Sequence, residues 1–277
     1  MQTDDKTERA GPTGPGAVFG FDRIFGLTFQ AFNNGWRGFA VLIVLGLALS
    51  VLLEVAFGIL GVGDQLPAEA AATDEQGAAA SEIADLEPGQ AFGGLLAVML
   101  FFIANLILHF AAVRHAWSWM GPAPGRLRED FALVFRRFWP MLGGGLLFWL
   151  CLTIGFMLLI VPGIILAVRW WIWPLAVLRE GESGAGALRR SAEITKGRRW
   201  TIFLVLLVAM VVTGAVSQAM AALGNLQMLF YLLFMLVNAV LMVLWACLTA
   251  ALYTALRETE GPGAEARREG APDTGTA

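Results

Sequence analysis

Five polar residues stand inside otherwise apolar runs, and any chemistry within the chain would have to start from them: Glu54, Asn105, His109, Arg169 and Asn238. His109 follows Asn105 by four residues, so on a helix both share one face and could serve a proton relay or a ligand. A metal centre would need carboxylates or cysteines converging on that face, and the surrounding run has none. Asn105 reads better as a helix-to-helix hydrogen-bonding residue, the usual employment of Asn in a membrane bundle, and Asn238 and Gln218 read the same way. Glu54 and Arg169 carry opposite charges and fall at about 10 Å and 9 Å below the outer surface by helix rise. They either form a buried pair or extend separately to the outer headgroups. Cys151 and Cys247 lie in apolar runs with no CxxC partner and read as small hydrophobes. No nucleophile, base, metal set or cofactor motif can be assembled, so no catalytic, cofactor-binding or metal residue is assigned.

The elements that would position these residues are dictated by composition. Of 277 residues, 57% are hydrophobic and 15% charged, and the mean hydropathy is +0.67. Soluble domains carry about 45–50% apolar and about 25% charged residues. Leu204 to Leu223 and Leu226 to Leu256 contain no Lys, Arg, Asp, Glu or His, and roughly 20 apolar residues cross the hydrocarbon core. The expected class is therefore all-α: a polytopic helical membrane protein. A secreted disulfide scaffold, a nucleic-acid binder and an ordinary cytosolic enzyme are excluded.

Six spans are expected, at about 39–60, 92–113, 141–160, 164–178, 201–223 and 226–253. Val161-Pro162-Gly163 separates the third from the fourth, and Gly224-Asn225 turns the fifth into the sixth. The fourth would be short, about 22 Å by helix rise. Residues 1–16 and 257–277, rich in Gly, Pro, Thr and charge, read as disordered ends, and Met1 to Gly16 lacks the apolar core of a signal peptide. An outer loop over 61–90 collects acids without a base, from Asp64 to Glu87. They are scattered, unlike a calcium loop, and read as a solvated surface. With six spans, eighteen of the nineteen Lys and Arg residues fall on one side, Arg169 being the remainder. The positive-inside rule then puts both termini in the cytoplasm. Trp36, Trp117, Trp119, Trp139 and Trp200 fall at the same boundary, where indoles favour the interface.

Each odd-numbered span follows an amphipathic stretch: Phe21 to Trp36, Leu127 to Trp139, and Gly184 to Trp200. An apolar face with basic flanks suits a short helix lying in the headgroup layer, and the recurrence admits a threefold hairpin repeat. In the third stretch Arg189, Arg190, Lys196, Arg198 and Arg199 are candidates to grip anionic headgroups, because guanidinium forks match phosphate geometry.

Val161 to Leu206 carries Pro162-Gly163, Arg169-Trp170, Pro174, Ala187-Leu188-Arg189-Arg190-Ser191, and Gly197 followed by basic residues and Trp200. This stretch resembles the membrane domain fused to some bacterial glycerophosphoryl diester phosphodiesterases, and its stand-alone membrane-protein relatives. The resemblance implies an inner-membrane protein of about six helices. It does not imply diesterase activity, which belongs to a separate soluble barrel. The expected role is non-enzymatic, accessory or lipid-associated. Membrane lipids are the expected partners, with no nucleic acid; an unidentified protein or a second copy is a further candidate partner. The alternative is a small transporter or channel with polar residues lining a midplane cavity. A hydrated cavity lined by Asn105, His109 and Asn238 would favour that alternative; a dry, tightly packed bundle would favour the accessory role.

Overall fold

The computed structural model of the protein describes residues 19–60, 87–121, 125–222 and 227–260, and among these there are helices and no strands. Eight helices follow in order: α1 (Phe21–Leu60), α2 (Pro88–Ser118), α3 (Leu127–Arg136), α4 (Phe138–Leu158), α5 (Ile160–Glu180), α6 (Gly184–Ile194), α7 (Arg199–Ala222) and α8 (Gln227–Glu260). Six of them, all but α3 and α6, are long and apolar enough to cross a membrane. The expected N-terminal segment 1–16, nearly all of the acidic loop, the Gly224-Asn225 turn and the tail beyond Glu260 lie outside the described residues.

Three boundaries differ from expectation. The first amphipathic stretch is not a separate surface helix: α1 runs unbroken for 40 residues, about 60 Å. Asn33-Asn34-Gly35 does not break it, because Gly35 and Gly38 serve close packing instead. A Cβ on Gly35 would lie 2.9 Å from Trp119 Cδ1, and one on Gly38 would overlap the His115 imidazole. The break between α4 and α5 falls at Leu159, which is extended (φ −165°, ψ 148°). Pro162 then sits in the first turn of α5, where its missing N–H is not needed. The fourth span is consequently longer than expected, 21 residues. It is also irregular, turning at Trp171-Ile172 and closing with a π-helical turn over Ala176–Glu180. Finally, α8 continues to Glu260, so the tail's first residues are helical.

Local chemistry sets the other ends. Glu87 and Gln90 form a capping box at the start of α2, with Pro88 as its first residue. The Ser183 hydroxyl accepts from the Gly186 N–H at 3.2 Å to cap α6. Gly181 (φ +77°) and Gly197 (φ +85°) terminate α5 and α6 in the left-handed region.

Packing divides the helices into two groups. In one, α1, α2 and α8 pack on one another; in the other, α4, α5 and α6 do so, with α7 set against α5 and α8. Phe110 of α2 meets Trp173 of α5 edge-on at 5.5 Å and joins the groups. The two separate amphipathic helices differ in setting. On α3, Phe135 is 61% exposed. On α6, Ala187, Leu188, Arg190, Ser191, Ala192 and Ile194 are buried against the bundle, while Arg189 and Glu193 on the opposite face are exposed. Its Gly184 packs so closely on Pro140 and Gly144 of α4 that a Cβ would touch the Gly144 backbone nitrogen at 2.5 Å.

Candidate functional site

The arginine-rich end of the bundle holds a connected set of polar side chains, built from the last turns of α2, the first turn of α3, the π-helical turn of α5, the middle of α6 and the end of α8. Its first half centres on His115, which is 3% exposed. Trp119 Nε1 donates to His115 Nε2 at 3.0 Å. An indole nitrogen can only donate, so Nε2 is the acceptor and the ring proton sits on Nδ1. That N–H meets Asp130 Oδ2 at 2.8 Å. Phe39 packs edge-on against the imidazole at 5.2 Å, and Gly38 leaves the room for it. Arg114 approaches the other Asp130 oxygen at 3.6 Å, too long for a hydrogen bond. Asp130 Oδ1 and Arg114 Nε and Nη1 are buried without hydrogen-bond partners.

The second half centres on Glu180. Arg190 Nε donates to its Oε2 at 2.8 Å and the Tyr253 hydroxyl to its Oε1 at 2.9 Å; Arg257 stands 3.7 Å away. The π-helical turn carries Glu180 together with Arg179, whose guanidinium lies 4.0 Å from the centre of the Trp117 indole. Arg114 approaches the same indole at 5.0 Å, so Trp117 links the two halves through cation–π contacts. Arg137 Nη1 donates to the Val177 carbonyl at 3.0 Å, against Gly181. The irregularity of α5 is also met by α6: Ser191 and Thr195 hydroxyls donate to the Arg169 carbonyl at 3.0 Å and 3.2 Å. At the rim, Arg23 and Glu258 pair at 2.7 Å and clamp the start of α1 to the end of α8.

Such an arrangement orders helices and concentrates charge. His115 and Asp130 have the pairing of a general base with its orienting carboxylate. Both ring nitrogens are engaged and the ring is enclosed, so the pair acts as a brace between α2 and α3.

The residues singled out in the sequence are distributed differently. Arg190 is turned inward onto Glu180 and is only 6% exposed, which removes it from the headgroup candidates. Arg189, Lys196 and Arg199 are exposed, and Arg198 is half-buried over the Phe19 ring at 5.5 Å. α1, which carries Glu54, packs chiefly on α2 and α8, whereas the Arg169 segment of α5 packs on α4, α6 and α7. Asn105 and Asn238 line one open groove together with Ser50. His109, although one turn from Asn105, is not part of it; its ring packs beside Phe110. Cys247 is buried and Cys151 half-buried, both free thiols. Among the described residues no group of three or more His, Cys, Asp or Glu converges as a metal site.

His115, Asp130, Glu180 and Tyr253 carry the network and were not singled out in the sequence; Trp117, which joins its halves, was read there only as an interface indole. One signal was available. Asp130 lies three residues after Leu127 and four before Val134, a carboxylate on the apolar face of an amphipathic helix, and such a group needs a partner when that face is buried.

Residues 130–256 match a family described as a domain of unknown function (DUF7847). The match covers just under half of the chain and extends from the start of α3 nearly to the end of α8. No curated protein and no solved structure matches the chain.

Proposed function

We propose that the chain is a non-enzymatic accessory protein of a bacterial inner membrane that associates with lipid at the cytoplasmic leaflet, with both termini cytoplasmic. The observation that carries this reading is the one-sided arrangement of charge. Arg114, Arg137, Arg179, Arg190 and Arg257 gather at one end around Asp130 and Glu180, and Arg189, Lys196 and Arg199 lie exposed beside them. The positive-inside rule assigns that end to the cytoplasm, where clustered basic residues meet anionic headgroups. The resemblance of Val161 to Leu206 to the diester-phosphodiesterase-associated membrane domain supports an inner-membrane setting and nothing further.

A second reading, a small transporter, is favoured by one observation: Asn105 and Asn238 share a groove. Against it, the Asn105 and Asn238 amides and the Ser50 hydroxyl each donate to a carbonyl of their own helix, and His109 stands apart.

Reconstitution into liposomes decides between them. The accessory reading expects no ion or solute flux above protein-free vesicles, together with anionic phospholipid retained through detergent purification. Replacing Arg189, Lys196 and Arg199 by Gln should reduce that retention severalfold. Saturable flux of a defined solute would overturn the reading.

A further inference from the structure

The groove between α1, α2 and α8 carries more than its apolar lining. The geometry points to a binding site for a neutral, hydroxyl-bearing lipophilic molecule, held at the middle of the membrane by the side-chain amides of Asn105 and Asn238. This inference rests on the lipid-associated reading above and adds to it a ligand class.

The amides supply the polar recognition. Asn105 Nδ2 donates to the Phe101 carbonyl at 3.2 Å and Asn238 Nδ2 to the Phe234 carbonyl at 2.8 Å, each four residues back on its own helix. A carbonyl can only accept, so the amide nitrogens are fixed at those positions and the orientation of each amide follows. Each side chain keeps one N–H and its Oδ1. No protein donor among the described residues reaches either Oδ1. Ser50 is also turned to its own helix, donating to the Gly46 carbonyl at 3.1 Å.

Depth makes those leftover groups costly. The spans expected from the sequence reach the outer surface near residues 60 and 226. At 1.5 Å per residue Ser50 and Asn238 then fall about 15 Å below it, about halfway through a hydrocarbon core about 30 Å thick. Lipid tails offer an amide nothing, and an unmatched polar group there costs several kcal/mol.

The walls select what can match them. Leu42, Phe234 and Met242 make the groove predominantly apolar, and no ionised side chain lines it. A cation would surrender its hydration for two neutral carbonyls, which is unfavourable at this depth. A hydroxyl both donates and accepts, as the remaining atoms of each amide do, and an attached hydrocarbon skeleton would cover Leu42 and Phe234. Gly46 provides the space: nothing lies within 4 Å of where its Cβ would be.

The test uses the full chain in lipid nanodiscs with two photoreactive probes. One is a 16-carbon primary alcohol bearing a mid-chain diazirine; the other is its methyl ether, which has the same chain but no donor. The expected result is alcohol adducts mapped to 42–50, 105 and 234–242, with labelling roughly tenfold above the ether. That ratio corresponds to about 1.4 kcal/mol, the upper end of what one donated hydrogen bond contributes, since the ether oxygen remains an acceptor. Asn105→Leu with Asn238→Leu should bring the alcohol down to the ether, and Gly46→Leu should abolish labelling by both while keeping both amides. Far-UV circular dichroism and detergent melting identify any variant that fails to fold, and competition of the alcohol probe by unlabelled hexadecanol on wild type then replaces that variant. Equal labelling by the two probes, adducts elsewhere, or alcohol labelling unchanged in the Leu double variant would each overturn the site. The flux screen fails independently: solute flux with the groove labelled as expected would overturn the accessory reading and leave the site standing.

Discussion

His115 Nδ1 donates to Asp130 across 2.8 Å while both side chains are almost wholly enclosed. Fifteen residues apart in sequence, they tie the end of α2 to the first turn of α3 and set the position of the short helix that leads into α4. Asp130→Ala would leave the Nδ1–H without an acceptor and Arg114 without its nearest carboxylate. The expected loss is about 3–5 kcal/mol, the cost of breaking a buried pair from one side. His115→Phe with Asp130→Leu should lose less than the sum of the single changes. Detergent melting of the four proteins checks this, and strictly additive losses would show that the pair contributes no coupling.

Glu180 receives both Arg190 and Tyr253, so its replacement should be more damaging than that of either donor. Tyr253→Phe removes one hydrogen bond and should cost about 1 kcal/mol. Glu180→Gln keeps the shape, removes the charge facing Arg190 and Arg257, and should cost at least twice as much. Melting temperatures in one detergent give the order, and a Tyr253→Phe loss equal to that of Glu180→Gln would contradict it.

Gly38→Ala should destabilise by about 1–3 kcal/mol, the usual cost of overpacking, because the new methyl overlaps the His115 ring. Gly26→Ala on the same helix has open space around its Cβ. It should be neutral or stabilising by up to about 1 kcal/mol through helix propensity. Equal effects from the two changes would show that α1 and α2 do not pack as closely as Gly38 implies.

Glu54→Ala and Arg169→Ala should act additively, within about 0.5 kcal/mol, because their helices belong to different packing groups. A double variant clearly more stable than that sum would show that the two charges interact.

Fusions to alkaline phosphatase, active only outside the cytoplasm, check the proposed orientation. A fusion at residue 75 should be active and one at residue 190 inactive. Activity at residue 190 would overturn the cytoplasmic placement of the arginine-rich end.

The membrane class, the six spans and the gathering of positive charge at one end were legible in the amino-acid sequence. Partition into hydrocarbon is nearly a sum over individual residues, so a local window reads it without knowledge of neighbours. Asn105 and Asn238 were legible as polar residues inside apolar runs for the same reason, and a cavity lined by both was among the alternatives, but His109, named with them, stands outside the groove. The tertiary structure decided what depends on approach between distant segments. Neighbouring Arg189 and Arg190 look alike in sequence, yet one is exposed and the other is buried on Glu180, since a helix turns about 100° per residue and only the packing of α6 selects its inner face. Phe21 to Trp36 reads as a separate surface helix from its own amphipathicity. It is instead continuous with the span because Gly35 and Gly38 admit Trp119 and His115 from α2, contacts with no local trace. The same holds for Glu180 and Tyr253, 73 residues apart: a buried charge is stabilised by its partner, and close packing of separate helices is what brings that partner within reach.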